Sequence, residues 1–468
     1  MSELLSLAES VVDRAAPGES VEVYVARGHE TEIRAFDGGI ESLASATSAG
    51  IGIRVLLEGG GEGAAGRAGG PAGGAAQVGN RVGFAWAGSL DPEVVEATLA
   101  DARDNAAYAT PDPAAVLAVP DGVPPAHLDL WDPSLAATPT QAKVELALAL
   151  ERQVRSADPR IRQVDSADYG DAGTEVAIAS TTGVRATTRR TSVYVSVSAI
   201  AGEGTDTQTG SGFSVGRTIG DLDPDRAAAD AVERAVRMLG AGKARSGRTT
   251  VVFDPRVVST ILSVVSSAFS GEAVVKGRSW CAGRVGELVA APGIDLVDDP
   301  TDPRAYGAAT VDAEGLACRR NVLVADGVLQ GFLFDTVSAR RAGKAATGSA
   351  VRGGFSGTPG AGCRALLLQP GTKGPAEILA EVGDGLYVQS VTGVHSGVNP
   401  VSGDFSVGAE GLVIRGGALA EPVREVTVAS TLQRMLASVL HVGSDVEWLP
   451  GIAAGQTLAV ADLQLSGT

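Results

Sequence analysis

Hydrophobic positions alternate with polar ones along much of this chain, the period-two pattern of half-buried strands. Alternation runs over Val21–Arg27 and Glu32–Phe36, reverses at the hairpin signal Asp37-Gly38-Gly39, and resumes over Ile40–Ala46 and Gly50–Leu57. A second meander is predicted at 161–169, 174–180, 184–189 and 191–201, with turns at Thr182-Gly183 and Gly202–Gly204. Later strands are predicted at Thr249–Phe253, Arg319–Val324, Val328–Phe334, Leu386–Ser390 and Leu412–Ile414, with a hairpin turn at Asp326-Gly327. Helical spacing occupies 2–15, 91–108, 139–156, the segment from Asp223 towards Gly240, and about 431–440. Asp91-Pro92, Asp223-Pro224 and Asp254-Pro255 each set a capping carboxylate before a proline in the first turn. The helix opened by Asp254 has an apolar face that includes Val257, Ile261, Val264 and Val265.

This order predicts an α+β fold: an N-terminal mixed α/β domain over 1–240 and a C-terminal antiparallel, β-rich, open barrel-like domain over 241–468. A chain of 468 residues is too long for one core, which supports two domains divided near Ala241–Arg248. Two stretches interrupt the pattern: a Gly-rich, low-complexity loop at 59–76 and a Pro-rich crossing at 110–134. The high glycine content, 62 residues against 4% aromatics, agrees with many turns rather than a helical bundle.

Charge narrows the function classes. The net charge is −17 and no Lys/Arg block occurs, so direct nucleic-acid binding is not expected. Cys281, Cys318 and Cys363 are far apart and odd in number, which supports neither a disulfide framework nor a thiolate zinc site. The N-terminus lacks a basic signal region, and the longest apolar run, Val257–Phe269, is broken by serines and too short to span a bilayer. A cytoplasmic protein without membrane contact is expected.

Single motifs carry little chemistry. Residues 61–66 match G-x-G-x-x-G after a strand, but no helix start follows to hold a pyrophosphate. Gly212–Gly216 matches G-x-S-x-G and would make Ser214 a nucleophile, with His395 or His441 as base. The helix signal, however, begins only at Asp223, and the segment reads as the second arm of a hairpin. Asp295, Asp298, Asp299 and Asp302 offer oxygen ligands without the spacing of a known cation loop, and read as a solvated loop. The four histidines, His29, His127, His395 and His441, are too dispersed for a helical metal pair.

The densest cluster of small and turn-forming residues runs from Gly397 to Gly417 and ends in a strand and the Gly416-Gly417 turn. Such spacing suits close approach of backbone to backbone or ligand. That suggests a surface where main chain, more than side chain, does the recognising.

Several ordered motifs together resemble the TldD/PmbA family, and within it the TldE (PmbA) branch. They are FDGGIES at 36–42, AGIGIRV at 49–55, DAEG at 312–315, DGVL at 326–329, DTVSAR at 335–340, GVNPVSGDFSVGAEG at 397–411, Pro422-Val423 and VGSD at 442–445. The loop at 59–76 departs from the pattern. The resemblance implies a heterodimeric zinc metallopeptidase acting on peptides, in which a TldD-like partner carries H-E-x-x-x-H on a helix and a cysteine near its C-terminus. Alignment on Gly271, Lys276 and Gly277 puts Leu262, Ser263 and Ser267 at the three motif positions, and 448–468 contains no cysteine. The resemblance therefore implies a non-catalytic subunit with no cofactor of its own, zinc in the partner, and a role in enclosing the active site and shaping the substrate channel. With a peptide substrate so implied, an extended peptide could pair with the backbone by strand addition, which makes Gly393, His395, Gly397, Asn399, Gly403, Asp404 and Ser406 the candidate substrate-binding residues. A self-sufficient serine hydrolase using Ser214, a scaffold without catalysis, and the same heterodimer acting on an amide conjugate of specialised metabolism are the alternatives.

Overall fold

Two six-stranded sheets organise the chain in a computed structural model that describes residues 2–58 and 79–467. The loop at 59–76, with its G-x-G-x-x-G match, lies outside the described residues.

The first sheet is antiparallel throughout. It contains β1 (Glu19–Phe36), β2 (Gly39–Leu57), β3 (Arg81–Ala87), β4 (Ile161–Ser180), β5 (Arg185–Ala201) and β6 (Gln208–Gly216), in the order β3-β2-β1-β4-β5-β6. The breaks predicted inside β1, β2, β4 and β5 do not occur. Alternation lapses around Gly28–Glu30 because little covers the sheet there, yet the hydrogen-bond ladder to Ser48–Ala46 and Thr174–Ala172 continues unbroken. Sequence periodicity records burial, not pairing, so an exposed stretch of a long strand looks like a loop.

Helices cover one face of this sheet. α1 (Glu3–Val12) and α2 (Pro92–Tyr108) pack on Val21, Val23, Val25, Ile51 and Ile53. α3 (Thr140–Ala157) and α4 (Pro224–Val236) cover Ile33, Tyr169, Val193 and Val195. β6 lets α4 approach closely: a Cβ on Gly212 would lie 1.8 Å from the Ala227 carbonyl, and α4 presents Ala227, Ala231 and Ala235 there. The opposite face of the sheet, at Tyr24, Ala26, Val176 and Ile178, packs on Val311 and Leu316 from the second half of the chain.

That half is built on a barrel. β7 (Gly247–Phe253), β8 (Gly385–Thr392), β9 (Asp404–Arg415), β10 (Ala418–Thr431) and β11 (Leu458–Ser466) pair in the order β10-β9-β8-β7-β11. Thr427–Ala429 of β10 then pair with Gln464–Ser466 of β11, which closes the barrel expected to be open. One pair, β7 with β8, is parallel, with Leu386 opposite Val251. Val251, Phe253, Val388, Val407, Val428 and Val460 belong to one buried cluster with α5 (Pro255–Val265), whose Val257, Ile261 and Val265 face it.

Between β7 and β8 the chain forms a smaller sheet from Leu296–Asp298, Asn321–Ala325, Val328–Leu329 and Leu366–Leu368. Only the first two residues of the predicted Val328–Phe334 strand pair as one. The helix predicted at 431–440 covers Leu432–Ala437, and Val439–Val442 instead pairs with β11. The acidic segment is not a solvated loop throughout: Asp298 ends a buried strand and is itself fully buried. Arg234 of α4 reaches Asp254, the N-cap of α5, and Gln389 of β8 donates to the Arg234 carbonyl at 3.1 Å, so α4 ties the first sheet to the barrel. Among the described residues no helix is long and apolar enough to cross a membrane.

Candidate functional site

The glycine-rich stretch forms a hairpin of the barrel and the turn leading into it. Gly393, with φ of +74°, starts a single helical turn over Val394–Gly397. The Asn399 Oδ1 accepts from the Val401 and Ser402 amides at 2.9 and 3.2 Å, and Ser402 Oγ donates to Asp404 Oδ2 at 2.7 Å. These are local side chain-to-backbone turns of the kind that fix a loop's shape. Two glycines are required here for different reasons: a Cβ on Gly397 would lie 2.0 Å from the Ser406 carbonyl, and Gly403 has φ of +82°. His395, Asp404 and Ser406 are exposed, with Ser406 opposite Ala429 in the β9–β10 ladder. The structure therefore brings the seven candidate residues into one turn and strand, with Gly403 buried, Gly397 half-buried and the other five exposed.

The helix at the expected metal position is α5. Leu262 is buried in the barrel-side core. Ser263 Oγ donates to the Ser259 carbonyl at 2.8 Å, and Ser267, in the short 3-10 turn Ser266–Phe269, donates to the Val264 carbonyl at 2.8 Å. Zinc is held by imidazole, thiolate or carboxylate, so one aliphatic side chain and two backbone-bonded hydroxyls do not fit it. Among the described residues no group of three or more His, Cys, Asp or Glu is placed to hold a metal ion. His29 of β1 lies across Gly173 of β4, His127 is exposed, and His441 Nε2 lies 3.1 Å from Glu381.

A cavity of about 720 Å³ opens beside the end of α5. Its wall comes from the turn after α5, from α6 (Gly271–Val275), from residues around Tyr306, Cys363 and Ile452, and from Arg190 of β5. Cys363 lines it but is buried, and burial pushes its thiol well above the ordinary range, so it is no nucleophile at neutral pH.

Ser214 lies in β6 opposite Val195, and its Oγ accepts from the Asp223 amide at 2.8 Å. α4 begins at Pro224, eight residues after β6 ends at Gly216 (224 minus 216), so the strand does not turn directly into a helix as a nucleophile elbow must. The four aspartates are engaged locally. Asp298 Oδ1 accepts from the Arg364 and Ala365 amides at 2.9 and 2.8 Å, Asp299 holds Thr301, Asp302 holds Arg304, and Asp295 accepts from the Asp326 amide. Burial raises the Asp298 carboxyl to about 6.

Sequence reading missed a buried ionic cluster that joins the two halves of the chain. Arg54 donates to both carboxylate oxygens of Glu22 at 3.1 and 2.6 Å, and Arg352 donates to Glu22 at 2.7 Å while lying over the Tyr24 ring. The Arg54 guanidinium also stands 3.6 Å from Glu314, whose other oxygen accepts from the Thr336 amide and hydroxyl at 2.9 and 2.7 Å. Burial lifts the Glu314 carboxyl to about 7, with Glu22 and Asp312 adding to the rise and Arg54 opposing it. Three of the quoted motifs meet here, at Arg54, Glu314 and Asp335, whose charge also acts on Arg54. Their separation in sequence hid this.

Comparison with known proteins agrees with the geometry. The family models for PmbA/TldA metallopeptidase match in chain order: domain 1 at 21–68, the central domain at 133–239 and the C-terminal domain at 246–467. Metalloprotease PmbA of Escherichia coli O157:H7 is 27% identical over 391 residues, covering 83% of this chain and 84% of that protein. A metalloprotease TldD homolog of Haemophilus influenzae is 29% identical over 335 residues, 68% of this chain and 69% of its own. The crystal structure of TldE from Thermococcus kodakarensis superposes with a TM-score of 0.85 over 99% of each chain at 22% identity, a likeness of fold.

Proposed function

The chain belongs to the PmbA/TldD metallopeptidase family, and from that premise we propose that it is the non-catalytic subunit of a heterodimeric zinc metallopeptidase. It pairs with a TldD-like subunit that holds zinc, closes over that metal, and forms part of the channel through which a peptide reaches it. The observation that carries this reading is α5, where Leu262 is spent on the core and Ser263 and Ser267 on backbone carbonyls. None of the three supplies a zinc ligand or a base to activate water. The exposed turn at Gly393–Ser406 beside the β9–β10 hairpin is the surface we assign to an extended peptide. Cys281, Cys318 and Cys363 are free and buried, which suits a reducing compartment, and we place the complex in the cytoplasm.

The test is to purify the chain alone and together with a family member that carries H-E-x-x-x-H, and to follow zinc and peptide hydrolysis. Zinc is expected to track the partner, and hydrolysis to appear only on mixing. One tightly bound zinc per isolated chain would overturn the assignment. So would hydrolysis by the isolated chain that is lost in Ser214→Ala.

A further inference from the structure

We propose that the cavity at the end of α5 binds the free α-carboxylate of a peptide. This rests on the subunit reading above and names a chemical requirement of its substrate. Its volume of about 720 Å³ suits a ligand of several residues. Four cationic residues line it, Arg190, Lys276, Arg278 and Arg364, against one carboxylate, Glu272, in a chain whose net charge is −17. The local sign is therefore opposite to that of the molecule, and a concave wall of one sign concentrates counter-charged ligands.

The cations are not equally committed. Lys276 pairs with Glu272 across one turn of helix. Arg190 and Arg278 are exposed, and among the described residues neither has a carboxylate within ion-pair distance. Arg364 Nη2 donates to the Ala350 carbonyl at 3.2 Å, while its Nε is buried without a hydrogen-bond partner. That buried Nε is out of reach of a ligand in the cavity, and the Arg364 charge acts on the buried Asp298 and Asp312, so Arg190 and Arg278 are the cations available to an anion there.

The hydroxyls select among anions. Ser266 is buried against Cys363, while Ser267 and Ser270 donate to the carbonyls of Val264 and Ala361 at 2.8 and 3.0 Å, which occupies their protons. They present lone pairs only, which accept from N–H groups and repel an anionic oxygen. A wall with guanidinium donors at one part and hydroxyl acceptors at another matches a peptide's last residues, carboxylate at the end and amide N–H before it. Val351 and Ile452 supply apolar surface for side chains. Inorganic phosphate satisfies the donors but has no N–H for the serines.

Calorimetry on the full chain tests this with N-acetyl-tetra-alanine as the free acid and as its C-terminal amide. The acid is expected to bind on the order of tenfold more tightly than the amide, as loss of charge-assisted hydrogen bonds implies. Added salt should narrow the gap. An Arg190→Gln, Arg278→Gln double variant, which breaks no ion pair, should abolish it. Equal affinity for acid and amide, no binding of either, or a preference that survives in the double variant would overturn the proposal. So would displacement of the acid by inorganic phosphate at concentrations below the acid's own Kd. Zinc content of the same preparation keeps the two readings apart: a zinc-free chain indifferent to the carboxylate loses this proposal alone, and a zinc-bearing chain loses the subunit assignment.

Discussion

Replacing Glu314 by Gln removes a buried charge for which the cluster around it lacks full compensation. Arg54 and Arg352 bring two positive charges; Glu22, Glu314 and Asp335 bring three acidic groups, and Asp312 adds its field. Burial is the largest cause of the rise of Glu314 from 4.5 to about 7. A folded-state value above the unfolded one means that the fold prefers the protonated acid. Its contribution is complete below pH 4.5 and is lost as pH rises through about 7. At about 1.4 kcal/mol per unit, the full swing is about 3 kcal/mol, and most of it, about 2 kcal/mol, falls between pH 5 and pH 8.

Glutamine imitates the protonated acid, keeps an oxygen for the Thr336 amide and hydroxyl, and does not titrate. Urea unfolding of the wild-type chain and Glu314→Gln, followed by far-UV circular dichroism at pH 5 and pH 8, isolates the effect. Groups common to both proteins, such as Asp298 with its own raised carboxyl, cancel in the difference. The variant should gain on the wild type by about 2 kcal/mol between the two conditions. Parallel pH dependences would refute the reasoning, because they would mean that Glu314 titrates alike in the folded and unfolded chain.

The same cluster predicts that Arg54→Met, which leaves Glu22 with Arg352 alone and takes from Glu314 the guanidinium beside it, costs about 3–5 kcal/mol; an unchanged melting temperature would contradict it. In the barrel, Gly411→Ala puts a Cβ 1.8 Å from the Tyr387 carbonyl, so β8 and β9 must separate; a loss of at least about 1–3 kcal/mol is expected in thermal unfolding.

What could be read from the sequence was local. Asp91, Asp223 and Asp254, each before a proline, mark helix starts because these signals act within one turn, and all three open helices here; the Asp223 and Asp254 carboxylates cap an amide, whereas that of Asp91 accepts from Ser89 instead. Asp37-Gly38 and Asp326-Gly327 mark hairpins because each pair adopts positive φ, as a tight two-residue turn requires. What could not be read was long-range. The parallel β7–β8 pair joins Val251 to Leu386, and closure joins β10 to β11; no local pattern records either choice of partner. The candidate site divides in the same way. Turn chemistry around Asn399 is a near-neighbour matter, whereas the cationic cavity gathers Arg190, Arg278 and Arg364 from separate elements.

The motifs that made the family recognisable thus perform different physical tasks. Arg54, Glu314 and Asp335 belong to the cluster that joins the first sheet to the second half, while Gly397 and Gly411 let barrel segments touch through backbone. None of these tasks requires a metal. On the subunit reading proposed above, the chain keeps that frame without metal ligands on α5, since Leu262 contributes core packing and the serine hydroxyls close on nearby carbonyls. On that reading the cavity beside them draws its positive charge from side chains. On the proposal made here, those guanidinium groups give the cavity a remaining use: to hold the end of a chain that is cut elsewhere. Binding at this position would fix the distance from the carboxylate to the partner's metal, so a subunit without catalytic groups would still determine which peptide bond is presented.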